Sequence, residues 1–161
     1  MTMLDDVPVR PPDRRLQVLE RETVPVGRSA SRECLTPLPP GTKAKPNTPK
    51  LLRRDLRTLA LFVRVFCHAK HTGQAFVSFK GFDLKAITGK ELELCPQCSK
   101  LLHHALVKRT ACPRDPKPQC KDCPTHCYSK VYRQQIREVM RFSGMRLLLR
   151  GRIDYLFHLI F

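Results

Sequence analysis

Cys95-Pro96-Gln97-Cys98 and, further on, Gln119-Cys120-Lys121-Asp122-Cys123-Pro124-Thr125-His126-Cys127-Tyr128 are the stretches whose reading decides how this chain folds. A CxxC turn delivers two sulfurs to one ion without straining the backbone, which is what a tetrahedral thiolate site requires. The turn occurs at Cys95/Cys98 and again at Cys120/Cys123, and Cys127 stands about one helical turn past Cys123. Cys112, in the loop just upstream, offers a fourth thiol to the second group, and Cys67 completes the set. Seven of the eight cysteines thus fall between residues 67 and 127. The metal candidates are Cys67, Cys95, Cys98, Cys112, Cys120, Cys123 and Cys127.

The competing reading is a disulfide scaffold, because small cysteine-rich chains are often secreted and cross-linked. The N-terminal run Met1-Thr2-Met3-Leu4-Asp5-Asp6-Val7-Pro8 has no basic segment leading into an apolar one, so no signal peptide is expected. That points to a reducing cytoplasm, where seven thiols at this spacing bind soft metal rather than pair with one another. Zinc is the default occupant of paired CxxC turns in a small domain. Cys112, Cys120, Cys123 and Cys127 together also suit an iron–sulfur cluster, although their spacing is not that of the ferredoxins.

Working outward, nine of the fourteen prolines lie in the first 50 residues, in runs such as Pro37-Leu38-Pro39-Pro40. Proline lacks a backbone donor and fixes φ, so residues 1–49 are expected to form a mobile, partly extended tail. Cys34 sits in it as an incidental thiol. Residues 50–161 are then a cysteine-rich, mainly α domain of about four helices organised by the metal site. The chain carries a net charge of +16, of which the first 50 residues hold only +3. The basicity belongs to the domain and attracts polyanions, nucleic acid included.

Leu52, Leu56, Leu59, Val63 and Phe66 recur at helical spacing and predict a first helix over 51–71, with Thr48 as N-cap and Pro49 in the first turn. Cys67 and His71, four apart near its end, share a face and can both approach a metal. The plainer alternative makes Cys67 a small buried apolar group and leaves the histidines in water. Ala75-Phe76-Val77-Ser78-Phe79 is β-prone and predicts a short hairpin or ordered loop before Gly81. Pro96 opens a second helix to about Arg109, with Cys98, Leu101, Leu102, Ala105 and Leu106 inward and His103 and His104 toward solvent. A third helix is expected from Ser129 to Phe142, stopped at Gly144. Arg133, Arg137 and Arg141 form a basic ridge on it. The segment 145–161 is too short and too charged to span a bilayer, and is expected to dock as a last helix through Leu147, Leu148, Ile153, Leu156 and Ile160.

The runs Leu94-Cys95-Pro96-Gln97-Cys98, Ala111-Cys112-Pro113, Lys117-Pro118-Gln119-Cys120, Cys123-Pro124-Thr125-His126-Cys127-Tyr128 and Ile136-Arg137-Glu138-Val139-Met140-Arg141-Phe142-Ser143-Gly144 together resemble the bacterial nitrous-oxide-stimulated promoter family. The resemblance covers roughly Arg53 to the end. It implies a small cytoplasmic protein acting in the response to nitric oxide and related nitrogen species, with the cysteines, His126 and Tyr128 as the positions that carry over. Met145 stands where the family commonly has proline, and Gly151-Arg152 where a His-Pro is common. Residues 72–94 read as an insertion.

No Ser/His/Asp set, paired carboxylates, glycine-rich phosphate loop or HExxH motif is present, so an enzyme is the less favoured reading. The two other functional readings are a metal-dependent nucleic-acid-binding regulator, using the arginine ridge, and a thiol redox protein, using Cys67 or Cys34.

Overall fold

The computed structural model describes residues 37–151. Four helices and two small strand pairs follow one another: β1 (Ala44–Lys45), α1 (Pro49–Lys70), β2 (Val77–Ser78), α2 (Leu84–Thr88), β3 (Glu93–Leu94), α3 (Pro96–Thr110), β4 (Lys117–Pro118) and α4 (Lys130–Leu149). The mainly helical expectation holds. Both sheets are two-stranded and antiparallel, β1 with β4 and β2 with β3.

α1 starts where Thr48 Oγ1 accepts from Leu51 N at 3.2 Å, followed by Pro49, whose missing N–H has no partner to lose there. It is the central helix. Leu56, Leu59, Ala60, Phe62, Val63, Phe66 and Cys67 are buried along it, and it packs on both α3 and α4. The short α2, capped by Asp83, is held against it by guanidinium groups: Arg53 donates to Ala86 O at 2.9 Å, and Arg57 Nε donates to Ile87 O at 3.0 Å. These bonds satisfy carbonyls at the helix end that lack an intrahelical donor. The β-prone run does pair, Val77 opposite Leu94 and Ser78 opposite Glu93, with α2 between the two strands.

Two expectations fail at the C-terminal side. α4 does not stop at Gly144 but continues to Leu149, so most of the expected third helix and the start of the expected last one are a single rod. Ser143 and Gly144 are both buried, and Ser143 Oγ donates to Phe62 O at 2.6 Å. The helix is thus tied to α1 through Ser143 at the point where a stop was expected, and Gly144 lies buried within it. Leu147 is buried and Leu148 half-buried as expected. Ile153, Leu156 and Ile160 lie outside the described residues, as do residues 1–36 of the expected tail, Cys34 among them.

Residues 37–49 do have described structure. β1 pairs through Ala44 with Pro118, and the side chain of Asn47 accepts from Arg109 at 3.0 Å. Arg109 is 5% exposed, and its Nε donates to Asp55 at 2.7 Å. Lys117 Nζ approaches the same carboxylate at 3.7 Å, so Asp55 ties α1 to α3 and β4 together.

Candidate metal centre

The end of α1, the exit of β3 and the start of α3 converge on one point. Helical spacing puts Cys67 and His71 on one face of α1, and Cys95 follows β3 directly as the N-cap of α3, with Cys98 in its first turn. The ligand atoms of Cys67, His71, Cys95 and Cys98 all lie within 4.8 Å of one another. His71 Nδ1 is 3.2 Å from Cys95 Sγ and 3.3 Å from Cys98 Sγ. A zinc tetrahedron with Zn–S near 2.3 Å and Zn–N near 2.0 Å has edges of about 3.5–3.8 Å, so side-chain shifts of no more than about 1 Å complete it.

The surroundings suit bound thiolates. Cys95 N donates to Cys67 Sγ at 3.3 Å and Cys98 N donates to Cys95 Sγ at 3.4 Å. The second of these bonds comes from the N-terminal turn of α3, whose dipole favours negative charge. Without a cation the same burial works the other way. It pushes the Cys67 and Cys98 thiols up, reinforced by their neighbouring thiols, and it lowers His71 against the opposing pull of Glu138. Three buried cysteines and a half-buried histidine thus form a closed donor set for a divalent ion, which holds thiolates ionised and imidazole neutral.

The chain therefore divides the seven expected ligands. Cys67, Cys95 and Cys98 come together, joined by His71, which sequence reasoning weighed but left outside its ligand set. Its signal was the four-residue step from Cys67. Cys112, Cys120, Cys123 and Cys127 line a separate cavity of about 210 Å³ beside α3 and β4. All seven of these cysteines are free thiols. Among the described residues, only the first group has three or more ligand atoms gathered at the distances of a single ion.

Histidines 103 and 104 part company. His103 is exposed as expected, but His104 is half-buried, stacked on Tyr132 with ring centroids 4.0 Å apart and edge-on to Tyr128. The two tyrosines, one before α4 and one in its first turn, cover it, a contact that periodicity within α3 cannot show. His126 and Tyr128 both line the second cavity, the former exposed and the latter pushed up by burial first and then by Cys120 and Cys127. In the ridge, Arg137 and Arg141 are exposed and Arg133 is half-buried. No helix among the described residues is long and apolar enough to cross a membrane.

Comparison with known proteins agrees with the resemblance read from the motifs. A 44-residue segment, 27% of this chain, is 46% identical to the uncharacterized protein YgbA of Escherichia coli (strain K12), and spans 38% of that relative's length. No solved structure matches. Residues 50–161, which include every cysteine of both groups, match the family described as nitrous oxide-stimulated promoter, and the chain belongs to that family.

Proposed function

We propose that this is a thiolate-ligated metal protein acting in adaptation to nitric oxide and related nitrogen species, with zinc held by Cys67, His71, Cys95 and Cys98. The observation that carries the metal is the mutual approach of those four ligand atoms to within 4.8 Å, three of them on buried cysteines. Zinc is favoured over other metals by the Cys₃His donor set, the tetrahedral dimensions and the closed surroundings, which are those of structural zinc. The nitrosative context rests on family membership, whose description names a nitrous oxide response. The chemistry links the two, because metal-bound thiolates are soft nucleophiles that oxidised nitrogen species attack.

The test uses the full chain purified under reducing conditions. Metal analysis is expected to give one zinc bound by this group, lost in Cys98→Ser and in a His71→Ala, Cys95→Ser double variant. In cells lacking the gene, wild-type protein is expected to restore growth under a nitric oxide donor and Cys98→Ser to fail. Zinc retained in full by both variants, or full rescue by Cys98→Ser, overturns the reading.

A further inference from the structure

The four cysteines outside the Cys₃His group remain to be explained. Cys112 follows α3, Cys120 and Cys123 follow β4, and Cys127 precedes α4, yet all four face one cavity. Their sulfurs do not gather as the first group does, since among the described residues only that group brings three or more ligand atoms within 4.8 Å. A single zinc needs its sulfurs about 3.8 Å apart. The cavity, about 210 Å³, is on the order of ten times what one water-sized guest requires. Four thiols spread around a large volume fit a polynuclear guest and not a lone ion.

Charge narrows the choice. Lys108, Arg114 and Lys117 line the cavity, and among the described residues no aspartate or glutamate does. Lys117 Nζ lies 3.8 Å from Cys120 Sγ, and it also reaches Pro118 O at 3.4 Å and the Asp55 carboxylate on α1 at 3.7 Å. A cationic wall of this kind suits any centre that is anionic once its four thiolates are counted, a zinc or a cluster alike, so it is the spread of the sulfurs and the size of the cavity that select a polynuclear guest.

We propose that Cys112, Cys120, Cys123 and Cys127 bind a four-iron, four-sulfide cluster, a second metal site independent of the Cys₃His group. The cluster enters ready-made from a donor thiolate complex. Four iron–cysteine bonds form as the donor's four iron–thiolate bonds break, and the four cysteine protons pass to the released thiolates. The iron oxidation states do not change. The cluster-bearing face is more open than the first site, with Cys120 exposed and the other three half-buried, so it is the one that small oxidants reach first.

The experiment mixes the full zinc-loaded chain, anaerobically, with a synthetic four-iron cluster carrying 2-mercaptoethanol ligands, removes excess by gel filtration, and measures iron, sulfide, zinc and visible absorption. The expected result is about four irons and four sulfides per chain, with broad charge-transfer absorption and the zinc retained. Cys120→Ser with Cys123→Ser is expected to abolish cluster uptake while keeping zinc and the far-ultraviolet circular dichroism of the wild type. Cys98→Ser is expected to lose zinc and still take up cluster in whatever fraction folds. Should the double variant fail to fold, Lys108→Gln serves in its place, with at least a severalfold drop in cluster retention expected. Failure of wild-type protein to retain iron and sulfide, or a second zinc bound by these four cysteines, overturns the proposal and leaves the Cys₃His reading standing; retained cluster without zinc overturns only the latter.

Discussion

His104 shows how one residue couples packing to pH. Its ring is stacked on Tyr132, and its Nε2 is buried without a hydrogen-bond partner among the described residues. Burial first, then the charges of Lys108 and His103, lowers its affinity for a proton below the ordinary value of 6.5. The unfolded chain therefore binds this proton more readily than the folded one. The stabilisation is fully present above about pH 6.5 and is lost as pH falls below it. A His104→Phe variant keeps the stack and removes the titration. Urea midpoints at pH 7.5 and 5.5 are expected to separate more for the wild type than for the variant, and equal separations would show that this ring does not titrate on unfolding. The position was not legible in the sequence because α3 alone presents His104 opposite its apolar stripe; the burial comes from α4, about 28 residues later. Cys95 and Cys98 were legible because a CxxC turn is local chemistry, whereas the partition of seven thiols into two groups depends on where α1 docks against α3.

Among the elements, the junction at Asp55 is the clearest case of chemistry that no periodicity announces. One carboxylate on α1 receives Arg109 from α3 at 2.7 Å and Lys117 from β4 at 3.7 Å, and Asn47 beside β1 also receives Arg109. Arg109 has only 4% of its side chain exposed, so removing its counter-charge leaves a cation stranded in a low dielectric. Asp55→Ala is expected to cost about 3 kcal/mol, as breaking a buried pair from one side does. Chemical denaturation measures it, and a loss under about 1 kcal/mol would place the contact with ordinary surface pairs. The start of each long helix was legible from its cap and proline, Thr48-Pro49 for α1, Pro96 for α3 and Ser129 for α4. The end of α4 was not. Gly144 carries a strong local stop signal, and tertiary contact with α1 overrides it, as Ser143 bonding to Phe62 shows.

At the scale of the molecule, the Cys₃His group sits where the central helix, the β2–β3 pair and α3 meet, so an ion there cross-links segments 28 residues apart, from Cys67 to Cys95. The apolar core runs from Leu56 through Leu106 to Leu147, and Cys67, Cys95 and Cys98 belong to it. Part of the interior is therefore built from thiols, which without metal are either buried neutral groups or charges lacking a counter-ion. Binding free energy at such a site becomes folding free energy. Stripping the proposed zinc from the full chain with a chelator, under reducing conditions, is expected to lower the melting temperature by more than about 10 °C, which corresponds to some 3 kcal/mol at roughly 4 °C per kcal/mol in a domain of this size. Adding zinc back is expected to restore it, and magnesium is not, because a hard cation does not replace a soft one on sulfur. The Cys98→Ser variant is expected to melt at the stripped temperature whether or not zinc is present. An apo chain melting within about 2 °C of the loaded one would mean that helix packing alone sustains the fold, and the cysteines in this core would then have to be explained by reactivity instead of structure.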